Sequence, residues 1–101
     1  MNTLEKNLDI MTNYDKVIVE HVAFKGGGKV AEVMVKKNDN VYAQLEKAYM
    51  LTQNIENAWW HNENVKNISG KDAVRSTSVE DVMYIKGKKY MVDIVGFKQI
   101  N

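Results

Sequence analysis

The chain has 101 residues and a mass of 11.6 kDa, enough for one small domain with a single modest core. It is 45% apolar and 27% charged, an ordinary globular composition, and its 14 basic and 13 acidic residues give a net charge of +1. That balance argues against a strongly electrostatic nucleic-acid binder or a polybasic membrane anchor, and the lack of cysteine excludes disulfides, thiolate metal sites and a cysteine nucleophile.

Residues 1–13 are expected as a short helix or a mobile arm of the single domain 1–101. Asn2 is placed as an N-cap with Glu5 three residues on, and Leu4, Leu8 and Met11 share a face. This stretch has no secretory apolar core, and no run in the chain approaches the roughly 20 apolar residues of a membrane span. A cytoplasmic protein without membrane contact is the expectation. Residues 16–24 are rich in β-branched side chains and read as a strand. Gly26, Gly27 and Gly28 mark a turn, and 30–37 is a second β-rich run, so the two make an N-terminal hairpin. With Lys25 facing Lys29, one face carries Val17, Val19, His21, Ala23, Ala31, Val33 and Val35. The other, with Glu20, Glu32, Met34 and Lys36, is mixed.

Asn38, Asp39 and Asn40 offer a turn and an N-cap. A helix is predicted from 41 to about 53, with Val41, Leu45, Ala48, Leu51, Thr52 and Ile55 at three- and four-residue spacing and Gln44, Lys47 and Gln53 opposite. Residues 56–73 are polar and read as a loop pinned by Trp59 and Trp60. In the last third, 82–86 and 89–95 flank Gly87-Lys88. A type II′ turn there sets Ile85 against Tyr90, Met83 against Val92 and Lys86 against Lys89, and buries Ile94. Gly96 allows a bend before a short closing strand at 97–100. The fold class is therefore α+β: an N-terminal hairpin, one amphipathic helix and a curved C-terminal hairpin, with an SH3-like small barrel as one form.

The chemistry-bearing residues are sparse. Gly26-Gly27-Gly28-Lys29-Val30 has neither the glycine spacing of a phosphate loop nor the Ser or Thr that must follow its lysine. His61-Asn62-Glu63 has the outline of a deaminase zinc signature, but His21 is the sole other histidine and there are no cysteines to complete the ligand set. His21 reads as a buried, hydrogen-bonded side chain. No base or oxyanion site accompanies Ser76, Thr77 and Ser78, and Ser78 with Asp81 reads as turn capping. No catalytic residue, cofactor or metal is expected. One ring of the Trp59-Trp60 pair is assigned to the core and the other to a partner. Lys25, Lys29, Lys86, Lys88 and Lys89 lie at hairpin tips, with Tyr84 and Tyr90 near the second, a combination that suits weak nucleic-acid binding but serves equally as solubilising charge. Arg75 is the lone arginine among 14 basic residues. Its fork is expected to tie Asp81 or Asp93, with a partner contact as the alternative.

The stretch from Arg75 to Val82, then Lys86-Gly87-Lys88-Lys89-Tyr90, then Val95-Gly96-Phe97-Lys98-Gln99-Ile100, resembles the tail of short phage and mobile-element proteins. Their pattern is Arg-Ser-x-Ser-Val-Gly-Asp-Val, a hairpin, then Gly-Phe, and a related tail occurs in YodL-like modules. The run from Leu45 to Ile55, with the tryptophans and Asn64, is similar to their first half. This chain departs from the pattern at Glu80, where glycine is usual, and a less strained turn or a slightly different register is expected there. The resemblance implies a small α+β protein and, at class level, a phage accessory factor that binds and modulates a host protein in counter-defence or host takeover. The reading is a non-catalytic protein-interaction module with contacts among Trp59, Trp60, Arg75, Tyr84, Lys86, Lys88, Lys89 and Tyr90. Nucleic-acid binding through the lysine tips is the alternative, and an exposed strand edge allows a homodimer.

Overall fold

A computed structural model describes residues 13–101. The helix or arm read over 1–13 lies, but for Asn13, outside the described residues. Strand β1, Tyr14–His21, buries Val17, Val19 and His21 in alternation, and β2, Gly28–Lys36, answers with Ala31, Val33 and Val35. The core face is the expected one, but the register differs. Val17 lies opposite Val33 and Val19 opposite Ala31, while Glu20 meets Lys29, so Val30 is an extra, buried residue at a bulge. Lys25 does not face Lys29. The ladder ends at His21 because the N–H groups of Val22 and Ala23 turn away to the Asp81 carboxylate, at 2.8 and 3.0 Å. Gly27 has no room for a side chain there, since a Cβ would stand 1.8 Å from the His21 carbonyl oxygen.

Helix α1 is Val41–Leu51, capped by the Asn40 side chain accepting from the Ala43 N–H at 2.9 Å. Leu45 and Ala48 are fully buried. Gln44, expected on the solvent side, is fully buried too: its amide donates to Asp15 Oδ2 and to the Lys36 carbonyl, both at 2.9 Å. The helix stops at Thr52, whose hydroxyl donates to Ala48 O. Ile55 is therefore off the stripe and 82% exposed. The loop that follows holds a 3₁₀ turn, Trp59–His61, and a short strand that the sequence pattern did not announce, β3, Val65–Asn67, paired with β2.

Strands β4, Val82–Ile85, and β5, Lys88–Val92, make the second hairpin. Its turn is Lys86-Gly87, with φ of 52° and 74°, a type I′ pattern rather than the expected II′. Met83 faces Tyr90, Tyr84 faces Lys89 and Ile85 faces Lys88, so Lys86 and Lys89 are not opposed. Met83, Ile85, Tyr90 and Val92 still share the buried face, but Ile94 is 85% exposed because the chain has already turned, with Asp93 N–H donating to Gly96 O. Strand β6, Phe97–Gln99, then pairs with β5.

The six strands of the described residues form one antiparallel sheet in the order β3-β2-β1-β4-β5-β6. The fold is α+β and mostly β, with α1 laid across one face. No SH3-like closure occurs among the described residues: β3 and β6 stand at opposite ends of the sheet. No helix among them is long and apolar enough to cross a membrane.

Candidate functional site

Three regions of the sheet gather polar or aromatic side chains. The first is buried beneath the β1–β2 connection. The fully buried Asp81 carboxylate accepts from both terminal nitrogens of Arg75, at 2.7 and 2.8 Å, and from the N–H groups of Val22, Ala23 and Ser78. Burial alone would raise its pKa, but the Arg75 guanidinium and these backbone donors outweigh that and hold it at about 2. Beside it runs a relay of hydroxyls. Thr52 donates to Ala48 O, Thr77 donates to Thr52 Oγ1 at 2.8 Å, and His21 Nε2 stands 3.0 Å from Thr77 Oγ1. Since the Thr77 proton is already committed, Nε2 must carry the hydrogen and donate. Burial lowers the His21 pKa; the Asp81 charge pulls upward without offsetting it, and Arg75 and Lys71 add to the lowering. His21, Thr77 and Asp81 bond to one another's neighbours across β1, the end of α1 and the segment before β4, so this cluster works as a clasp between them.

The second region is the expected contact surface, which the fold takes apart. Trp59 is fully buried, its indole N–H donating to Arg75 O at 3.0 Å, and Tyr90 is 3% exposed with its ring edge-on to Tyr42. Neither is open to a partner. Trp60 is half-buried against Trp59 and His61. Arg75 is engaged by Asp81 and stacks on the exposed Phe24 ring, 4.8 Å from its centroid. The tryptophan turn packs on β3, at the far end of the sheet from the β4–β5 hairpin, so Trp60 and the residues Lys86, Lys88 and Lys89 do not share a surface. The lysine tips separate too, except where Lys29 and Lys89 meet over Tyr84. Lys86 pairs with Asp15 at the start of β1, whereas Lys25 lies beyond its end. Tyr84 donates to Glu20 Oε1 at 2.6 Å, which raises its phenol pKa, and its ring lies 5.2 Å from the Lys29 ammonium and 5.6 Å from that of Lys89.

The third region was not anticipated. Between α1 and the turn that joins β5 to β6 lies an open cleft of about 450 Å³. Tyr42, Glu46 and Tyr49 line it from the helix, and Val92, Asp93, Ile94 and Phe97 from the sheet. The Phe97 ring sits edge-on to Tyr49, with centroids 6.4 Å apart. Ile94, which lines it, is 85% exposed, its chain neighbour Val95 is 89% exposed, and Tyr42 is 53% exposed. Neither Glu46 nor Asp93 forms an ion pair with another described residue. The sequence carried one sign of this surface, the two adjacent aliphatics before Gly96, but the strand reading placed Ile94 inside. Tyr42 and Tyr49 belong to a helix face that joins the cleft only because β5 and β6 lie beyond β1 and β4. No family model, curated protein or solved structure matches this chain.

Proposed function

We propose that this domain is a non-catalytic protein-interaction module whose docking surface is the cleft between α1 and the β5–β6 turn. The observation that carries the reading is the pairing of an aromatic-lined hollow with two almost fully exposed aliphatic side chains, Ile94 and Val95. Concave apolar surface with a few convergent polar groups is the usual form of a binding site, and large exposed apolar residues grouped on a small domain mark contact with another molecule. The carboxylates of Glu46 and Asp93 suit a partner segment that brings a basic side chain. The tail's likeness to short phage proteins supports a host protein as the partner and the host cytoplasm as the place. The test is saturable binding of a cellular protein to the wild type, lost in Tyr49→Ala and in Ile94→Asp but kept in Lys88→Ala.

A second reading, nucleic-acid binding, is favoured by the two ammonium groups around Tyr84 and by Lys25, Lys71 and Arg75 near Phe24. It requires affinity for single strands that falls steeply with salt. The two clusters stand at different places on the sheet, and Arg75 is already neutralised by Asp81, which leaves the cleft as the stronger surface.

A further inference from the structure

Strand β6 ends the sheet, and its backbone shows which groups are open. The Ile100 N–H donates to Lys89 O and the Asp93 N–H to Gly96 O. In an antiparallel ladder the hydrogen-bonded pairs alternate. Gly96, Lys98 and Ile100 therefore turn their backbone groups toward β5, while Phe97 and Gln99 turn theirs outward, free of the ladder. Phe97 lies opposite Val92 and Gln99 opposite Tyr90, so both side chains share the helix-covered face. Phe97 is thus a wall of the cleft and also a residue whose backbone edge is unpaired among the described residues.

We infer that the partner segment binds in extended form, as a seventh strand antiparallel or parallel to β6, with an apolar and a basic residue at every-second positions on its helix-facing side. This rests on the cleft being the docking surface. A strand added at Phe97 and Gln99 gains main-chain hydrogen bonds there, and every second side chain falls on the helix side. The residue beside Phe97 fills the aromatic hollow against Tyr49. A Lys or Arg on the same face meets Glu46 or Asp93. Intervening residues stand beside Lys98 on the other face and are polar or acidic. Three residues of β6 offer few main-chain bonds, so affinity depends on the apolar anchor and on the charge pair together. The short edge also keeps the free protein from pairing nonspecifically.

The test uses the full chain, immobilised, and a random display library of peptides of about twelve residues, followed by amide hydrogen exchange on the complex with the most enriched peptide. The expected consensus has an apolar residue and a Lys or Arg two positions apart, with a polar or acidic residue between them. Exchange at Phe97 and Gln99 should slow on binding, and Glu46→Gln with Asp93→Asn should weaken the peptide by about tenfold. Gln99→Pro removes one outward donor without touching a ladder bond, and should weaken binding while the fold stays intact. If the peptide shifts the Tyr42 and Tyr49 signals while the Phe97 and Gln99 amides exchange as in the free protein, strand addition is wrong and the cleft reading survives. If enriched peptides perturb neither, both fail. A helical or proline-rich consensus, or concentration-dependent dimerisation through β6, would also overturn the extended basic segment.

Discussion

Arg75 holds the Asp81 carboxylate by two parallel hydrogen bonds, 2.7 and 2.8 Å long, six positions apart in the chain and directly before β4. Asp81 in turn fixes Val22 and Ala23 at the end of β1 and Ser78 before β4, so one ion pair joins the two hairpins. Asp81→Ala should destabilise the fold by about 3–5 kcal/mol, because it leaves a guanidinium and three N–H groups without their acceptor. Arg75→Lys should recover only part of what Arg75→Ala loses, since an ammonium cannot make the fork. Urea unfolding of the three variants checks this, and equal midpoints for Arg75→Lys and the wild type would refute it.

The same clasp sets an acid limit. The folded-state pKa of Asp81 lies at about 2, below its ordinary 3.8, so its contribution is complete above 3.8 and fades as the pH falls toward 2. That contribution is about 2 kcal/mol. His21 is depressed from 6.5, and a depressed histidine also favours the folded state above its unfolded value. Protonation below 6.5 binds preferentially to the unfolded chain. Stability should therefore fall in two steps, the first beginning below 6.5 and the second below 3.8. Thermal unfolding as a function of pH reads both, and His21→Gln should flatten the first step alone.

Glu80 adopts φ of 78° where it donates its N–H to Val92 O at 2.8 Å. The less strained turn expected from a glutamate at this position is not what forms: the left-handed backbone remains although the side chain has a Cβ. Glu80→Gly should raise stability by about 0.5–1 kcal/mol, and Glu80→Val should lower it by at least as much. Calorimetric midpoints of the two variants, moving in opposite directions from the wild type, are the expected result.

What was legible followed from parity. In both hairpins the observed register differs from the expected one in a way that keeps the ladder residues Val17, Val19, Val33, Met83, Ile85 and Val92 on their assigned face and in the core, whereas Ala23 and Ile94, read onto the same faces, lie beyond the ladders. The turns themselves were not legible, because their form depends on distant groups. Asp81 draws Val22 and Ala23 out of the first ladder, and Lys86 accepts a positive φ in the second. Gln44 was read as solvent-facing because its side chain is polar. Its burial needs the Lys36 carbonyl and Asp15, which only the completed sheet supplies. The cleft shares that difficulty, since Tyr42, Asp93 and Phe97 become neighbours only through the order of the strands.

Trp59 and Trp60 separate the two roles a paired indole can take. Trp59 is fully buried, its backbone N–H bound to Asn54 Oδ1 and its ring N–H to Arg75 O, so it fastens the loop after α1 to the segment that carries the Asp81 clasp. Trp59→Ala should cost about 3–5 kcal/mol, or unfold the domain outright. Trp59→Phe keeps much of the volume but abandons the Arg75 carbonyl, and should cost about 1–3 kcal/mol. Trp60 is half-buried and packs edge-on to Trp59, with ring centroids 5.4 Å apart. Trp60→Ala should cost less than either Trp59 change. Because it sits at the β3 end, it should also leave binding at the Tyr49–Phe97 cleft unaltered. Guanidinium titrations give the stability order. A Trp60→Ala variant that folds but no longer binds at the cleft would show that the docking surface reaches around the helix to the other end of the sheet.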